Sequence, residues 1–347
     1  MKKIYYLSLF VTNILLAQNA EHAYKKVDEG IELHDAGKYD EALSKYNEAL
    51  ILDKDNSFAL YEKAMTLEAL KRYDEAVETS KRILQLYPNG DNKTVYVTYG
   101  NALDHSGKPD LALKIYDEGL KKYPDYYHLY FNKGITLVNS RKNEEAVKAF
   151  EAAAKLNPNH PGSFNALAVI SSSNRIASIL ASGRYLVLDN KTARAKGNLD
   201  AIVSQMSKGV SKQGDHSISL AIDENTLNKV NKKRKSENDF STADVVLSLS
   251  AALDFDEKNK NKTDIEKFAQ KFETICNALD ETKKNQKGYF WEILAPYFIE
   301  MKNRNLIEPF SNIVFLSANN GEATEYSNLN PDKIEAFYLW SKNYDWK

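Results

Sequence analysis

The chain has 347 residues, of which 43% are hydrophobic, and this length is enough for about two domains with buried cores. Basic residues number 47 and acidic residues 48, so the net charge gives no argument for a nucleic-acid partner or an acidic membrane surface. Only 14 glycines and 8 prolines interrupt the chain, which favours an all-α fold over a β architecture with many turns.

The first residues, 1–17, have the pattern of a cleavable secretory signal peptide. Lys2 and Lys3 precede an apolar run that extends to Ala17 and is too short to span a bilayer comfortably. We expect cleavage after Ala17, with Ala20 as a second candidate, and hence a periplasmic or secreted protein of the Gram-negative bacterial type. No transmembrane segment is expected after removal of the signal. An uncleaved anchor or a buried first helix is the alternative interpretation of the same run.

A repeated pattern begins shortly after the signal. Related segments start at Gly37, Lys71, Lys108 and Lys142, and each ends in an alanine. These alanines are separated by 34, 36 and 34 residues: Ala42, Ala76, Ala112 and Ala146. Small residues recur in the same register upstream (Gly30, Ala64, Gly100 and Gly134), and large or small partners recur downstream (Tyr46, Ser80, Tyr116 and Phe150). A small residue facing a large one is the pattern that lets two helices pack closely.

This pattern resembles the tetratricopeptide repeat, a helix-turn-helix unit of 34 residues. The resemblance covers four repeats over residues 23–159, and a degenerate fifth unit extends to about residue 190. Prolines close three of the repeats at Pro88, Pro124 and Pro158. The resemblance implies a right-handed α-solenoid of helix pairs over residues 18–190, whose first helices line a concave groove.

The register of the family assigns ligand-facing positions in this groove. They are Tyr24, Val27, Ile31, Phe58, Tyr61, Met65, Val97, Asn101, His105, Phe131, Ile135 and Asn139, and the same mapping adds His34, Glu68, Thr94 and His128. No lysine or arginine is among them, so recognition of a C-terminal carboxylate by basic side chains is not expected. We predict instead a segment held by side-chain burial, with a backbone contact to Asn101 or Asn139. The alternative is that neighbouring repeats or the chain's own C-terminal region cover the apolar positions.

Residues 191–262 are mostly polar and are predicted to form a linker with short helices at Leu199–Val210 and Ser241–Leu253. Basic runs at Lys232–Lys235 and Lys258–Lys262 have acidic neighbours and no interleaved aromatics. Both are therefore interpreted as solvated segments.

Residues 263–347 are predicted to form an aromatic-rich helical C-terminal domain. Thr263 and Glu266 have the spacing of a capping box, and Cys276 adjoins the apolar stripe that follows. Pro296 is expected to bend or break a helix near residues 288–305, and Asn330 is expected to cap the last helix.

No metal-ligand spacing, phosphate-binding loop or nucleophile motif is present in the sequence, so no catalytic residue, metal ligand or cofactor is predicted. We interpret the chain as an exported, non-enzymatic scaffold or adaptor whose partner is a protein or peptide segment rather than a nucleic acid or a small-molecule cofactor. Two alternatives stay open. One is an enzyme with its site in residues 191–347 and the repeats as its recruitment module, and the other is a structural subunit of an envelope complex.

The signal pattern predicts that the mature chain begins at Gln18 or within a few residues of it. Removal of the leader by a signal peptidase produces this new N-terminus. N-terminal sequencing of the protein isolated from its native host measures it directly. A chain that retained Met1 would contradict export through this signal.

Overall fold

A computed structural model describes residues 2–213, 217–230 and 236–346, and it describes side chains from residue 18 onward. The basic run Lys232–Lys235 lies outside the described residues. The chain divides into two compact units, Met1–Ala149 and Phe150–Lys347. Within the described part of the chain, no helix is both long and apolar enough to cross a membrane.

The first unit consists of antiparallel helix pairs. Its helices are α1 (Lys2–Asp35), α2 (Tyr39–Leu52), α3 (Ser57–Ala69), α4 (Tyr73–Leu86), α5 (Lys93–His105), α6 (Pro109–Lys122), α7 (Tyr127–Asn139) and the first part of α8 (Asn143–Leu156). Each predicted repeat therefore forms two helices, and the predicted all-α repeat fold is confirmed.

In the first and third helix pairs, a glycine on one helix faces a tyrosine ring on the other. A β-carbon added to Gly100 on α5 would lie 2.2 Å from Cε1 of Tyr116 on α6. The equivalent distance from Gly30 on α1 to Tyr46 on α2 is 2.4 Å. Both tyrosine side chains are buried. Glycine is required at these two positions because any side chain would occupy the space of the ring.

The turns between paired helices have one shared backbone geometry. Each first helix is followed by a residue in the left-handed region, namely Gly37, Lys71, Gly107 or Arg141. The next amide then donates to the carbonyl five residues earlier, as from Arg72 to Leu67 over 2.8 Å. This hydrogen bond satisfies a carbonyl at the helix end and turns the chain into the second helix.

The second unit is also mainly helical and contains one small hairpin. Its elements after α8 are α9 (Pro161–Ile170), α10 (Arg175–Leu188), α11 (Ala193–Ser207), β1 (Val210–Gln213), β2 (Ser217–Leu220), α12 (Glu224–Val230), α13 (Ser241–Ala252), α14 (Asp264–Thr282), α15 (Ala295–Asn303), α16 (Ile307–Phe315), α17 (Gly321–Leu329) and α18 (Pro331–Lys342). The strands β1 and β2 are antiparallel, with Val210 opposite Leu220.

Helices α9 and α10 form the predicted fifth pair, but they belong to the second unit. Every residue of α10 from Arg175 to Val187 is buried. A helix that is buried all round lies inside a core, not at the end of a solenoid. The boundary between the two compact units lies within α8, between Ala149 and Phe150.

The predicted polar linker, residues 191–262, differs from the structure. Helix α11 buries Leu199, Ile202 and Met206, and α13 buries Ala243 and Leu247. These apolar side chains are spaced for one face of a helix, so most of the polar residues between them lie on the solvent side. The segment thus contributes to the core of the second unit instead of linking two domains.

The C-terminal helices contain the predicted aromatic core. The ring of Phe272 on α14 lies 4.6 Å from that of Phe310 and 5.2 Å from that of Phe298, measured between ring centroids. Cys276 is fully buried beside this stripe, as predicted.

Two helix ends follow their predicted signals, and one does not. The capping box of Thr263 and Glu266 is present at the start of α14. Pro296 lies in the first turn of α15, directly after a π-helical turn at residues 290–294, which is the predicted break. Asn330 precedes α18 but makes no side-chain cap there. The side-chain amide of Asn330 instead donates to the carbonyl of Tyr326 over 3.0 Å, at the end of α17.

The glycine–tyrosine contact predicts opposite effects for the same substitution at two helical glycines. Gly100→Ala should lower the free energy of unfolding by about 1–3 kcal/mol, because Tyr116 must move to admit the methyl group. Gly197→Ala, on α11, meets no atom within 4 Å and should raise the free energy of unfolding by up to about 1 kcal/mol through helix propensity. Denaturant titration followed by circular dichroism measures both. Equal changes in the free energy of unfolding at the two positions would contradict the close contact between Gly100 and Tyr116.

Candidate functional site

The first helices of the repeats bring nine of the sixteen mapped groove positions to one cavity. This cavity has a volume of about 520 Å³ and lies along α3 and α5. Five predicted residues line it: Tyr61, Met65, Val97, Asn101 and His105. We call it the groove cavity. Its wall also includes His34, Glu68, Thr94 and His128 from the same mapping.

A second, smaller cavity of about 260 Å³ adjoins the start of α3 and α5, and we call it the loop cavity. Phe58 and Tyr61 line it together with Tyr87 and Asn92. Tyr61 contributes to both cavities, so the two spaces share one aromatic wall. The side chain of Phe58 is 57% exposed, and its ring lies 5.8 Å from that of Tyr24, which is 49% exposed.

The remaining predicted positions do not line either cavity. Ile135 and Asn139 are exposed on α7, and Ile31 and Phe131 are partly buried. Val27 differs from the prediction, because it is only 3% exposed and belongs to a core cluster with Ala42 and Tyr46. Its side chain therefore offers no surface to a ligand.

Asn101 and Asn139 are both engaged by the protein itself. The Tyr116 hydroxyl donates to Oδ1 of Asn101 over 2.7 Å, and this bond fixes the orientation of the amide. The Asn139 amide donates to Oδ2 of Asp104 over 3.4 Å. The predicted contact to the backbone of a ligand would thus use the amide donors and acceptors of Asn101 and Asn139 that these two hydrogen bonds do not occupy.

Glu68 is the carboxylate of the groove cavity. Its Oε1 lies 3.8 Å from Nδ1 of His105, and its side chain is 21% exposed. Burial raises the pKa of the Glu68 carboxyl above its ordinary value, while His105 and a hydrogen bond from Asn101 act in the opposite direction. The folded protein therefore destabilises the ionised form of Glu68.

Sequence reasoning missed five residues in the lining of the groove cavity. Ala69 and Thr98 lie on the first helices, whereas Lys71, Tyr73 and Tyr126 line the cavity from turns and from the start of α4. The sequence did contain a signal for Tyr73, since a tyrosine begins both Tyr-Asp-Glu-Ala segments, residues 39–42 and 73–76. In the structure Tyr73 closes the groove cavity near His105, with ring centroids 5.2 Å apart.

The second unit contains a larger cavity of about 780 Å³, to which sequence reasoning assigned no function. It is lined by Val203, Phe255, Phe268 and Phe315, and Lys271 in its wall is paired with Asp254. Cys276 lies away from this lining and is inaccessible, and burial raises the pKa of its thiol. Among the described residues, no group of three or more histidine, cysteine or acidic side chains could hold a metal ion.

Stacked antiparallel helix pairs with cavities along their first helices define the class of protein. It is an α-solenoid of the protein-binding repeat type. The family model for the tetratricopeptide repeat matches residues 27–91 and 99–161. Residues 27–161 therefore contain tetratricopeptide repeats, as the sequence resemblance predicted.

Several solved structures are similar in fold to this chain. YrrB, described as a tetratricopeptide-repeat protein with an unusual peptide-binding site, is 22% identical, with a TM-score of 0.38 over 50% of this chain and 90% of that chain. PilF from Pseudomonas aeruginosa is 19% identical, with a TM-score of 0.44 over 55% and 90%. MamA from Desulfovibrio magneticus is 20% identical, with a TM-score of 0.40 over 47% and 91%. No curated protein matches the chain in sequence.

The raised pKa of Glu68 predicts a pH-dependent effect of Glu68→Gln on stability. At about pH 7 the variant should have the higher free energy of unfolding, because it removes a carboxylate that the fold desolvates. The folded-state pKa lies above the unfolded one, so this advantage is full above the folded pKa and disappears below the unfolded value.

Denaturant titrations at about pH 7 and about pH 4 measure the difference. The matched control is Glu118→Gln, an exposed position on α6, which should change little at either pH. An advantage of Glu68→Gln that was the same at both pH values would contradict the assignment.

Proposed function

We propose that this protein is an exported scaffold that binds an extended protein segment in the groove cavity and the loop cavity. The observation that carries the proposal is the position of Tyr61, which forms a wall common to both cavities. A segment laid across α3 and α5 would cover Tyr61 from both sides. Aromatic side chains in such pockets are typical anchors of protein interfaces.

Exposed aromatic surface supports the same proposal. Tyr24 and Phe58 pack edge to face beside the loop cavity and remain about half exposed. A contiguous apolar surface next to a cavity is typical of an interaction site. Export is proposed from Lys2, Lys3 and the apolar run that follows them.

We infer a binding role rather than a catalytic one. Cys276, the lone thiol, is fully buried and its pKa is raised, so its nucleophilic thiolate form is disfavoured. The groove cavity offers aromatic rings, amides and a single carboxylate, which are groups suited to recognition.

The double variant Phe58→Ala, Tyr61→Ala should release the partner while the helical fold persists. Loss of a buried aromatic anchor commonly costs on the order of 2 kcal/mol of binding energy, which is about thirtyfold in affinity. Partners are first captured from extracts of the native host on the wild-type chain and identified. Their dissociation constants are then measured with the purified variants.

The control is Leu111→Ala, which truncates an exposed apolar side chain on the outer helix α6. It should leave both affinity and helical content unchanged. A double variant that bound every wild-type partner with unchanged affinity would show that this face is not the binding surface.

A further inference from the structure

We propose that the bound segment carries an arginine whose guanidinium docks on the carboxylate of Glu68 in the groove cavity. This inference rests on the proposed function, because it names the chemical class of the segment that the same cavity selects. It goes further in assigning a charge to the partner and a residue that recognises it.

The position of Glu68 is the first argument. It lies in the last turn of α3 and faces the groove cavity, where Tyr61, Tyr73 and Tyr126 also contribute to the wall. Only 21% of its side chain is exposed, so water solvates the carboxylate poorly. A cation delivered by a ligand would replace the missing solvation.

The charges that the protein itself supplies do not replace the missing solvation of the Glu68 carboxylate. The ion-pair partner of Glu68 in the described part of the chain is His105, at 3.8 Å, and an imidazole is charged only when protonated. The lysine in the lining of the groove cavity, Lys71, lies exposed on the turn after α3. Burial remains the largest influence on the pKa of Glu68 and raises it. The carboxylate is therefore still short of positive charge in the free protein.

Two further lysines of the inner helices, Lys63 and Lys133, are directed toward the outer helices. Lys63 on α3 donates to Asn47 on α2 over 2.8 Å. Lys133 on α7, at the equivalent position two repeats later, forms an ion pair with Asp117 on α6. Because these two ammonium groups bind the outer helices, neither neutralises the carboxylate of Glu68.

Asn101 is a polar neighbour of Glu68 in the lining of the groove cavity. The Tyr116 hydroxyl donates to its Oδ1 over 2.7 Å, and Asn101 lowers the pKa of Glu68 less than burial raises it.

The aromatic wall favours arginine over lysine. A planar guanidinium stacks on tyrosine rings and presents paired N–H groups to a carboxylate, whereas an ammonium is a compact and strongly hydrated charge. Tyr61 and Tyr73 provide such rings around one cavity, whereas the ring of Tyr126 already lies under the ammonium of Lys93. A segment with an arginine flanked by apolar residues would therefore use both the carboxylate and the apolar surface.

The test is selection of short random displayed peptides on the purified full chain, followed by affinity measurements with synthetic peptides. Wild-type protein should enrich peptides with an arginine at one fixed position. In a selected peptide, replacing that arginine with citrulline, which keeps the shape and removes the charge, should weaken binding about tenfold or more. Glu68→Gln should weaken binding of the arginine peptide by a similar factor and abolish the difference between the two peptides.

Glu118→Gln on α6 is the matched control and should bind both peptides as the wild type does. Circular dichroism confirms that Glu68→Gln keeps its helical content. A peptide pool without arginine enrichment, a pool enriched in lysine instead, or a preference for arginine that persists in Glu68→Gln would overturn the inference.

The same peptides separate this inference from the proposed function. Peptides that lose affinity for the Phe58→Ala, Tyr61→Ala variant but carry no required arginine would support the groove and overturn the role of Glu68. Peptides that bind that variant as tightly as the wild type would overturn both proposals, as would a wild-type chain that selects no peptide.

Discussion

The structure of the first unit depends on the contact between a glycine on one helix and a tyrosine ring on the next. Gly100 admits the ring of Tyr116, and this sets the distance between α5 and α6. The same tyrosine donates its hydroxyl to Asn101, which belongs to the lining of the groove cavity. A packing contact in the core thus reaches the wall of the groove cavity through one side chain.

The repeats could be predicted from sequence because their determinants are local and recur. The spacing of Ala42, Ala76 and their equivalents fixes both helices of each pair and the turn between them. The second unit has no such recurrence, and its core joins residues far apart in the chain. Arg184 on α10, for example, is fully buried and donates to Ser341 on α18. No pattern within either segment predicts that contact, which is why α10 seemed to end a solenoid.

The helix face that lines the groove cavity could be predicted from the sequence, but the contacts made by its side chains could not. Register identified the helix side that holds Tyr61 and Met65, since equivalent positions of a repeat share one direction. It misplaced Val27, which is buried in a core cluster with Ala42 and Tyr46 of its own helix pair. The raised pKa of Glu68 also escaped the mapping, since burial is a property of the packed structure.

The turns that close the first helices give the array an uneven local stability. Gly37 and Gly107 adopt the left-handed backbone at little cost, whereas Lys71 and Arg141 hold side chains in a conformation that costs about 1 kcal/mol. In a repeat array, stability is roughly a sum of local terms, so openings begin where those terms are weakest. Lys71 belongs to the lining of the groove cavity. Transient opening of this turn would widen the groove cavity locally and leave the glycine-closed repeats on either side intact, so that segments of different bulk could enter one otherwise rigid scaffold.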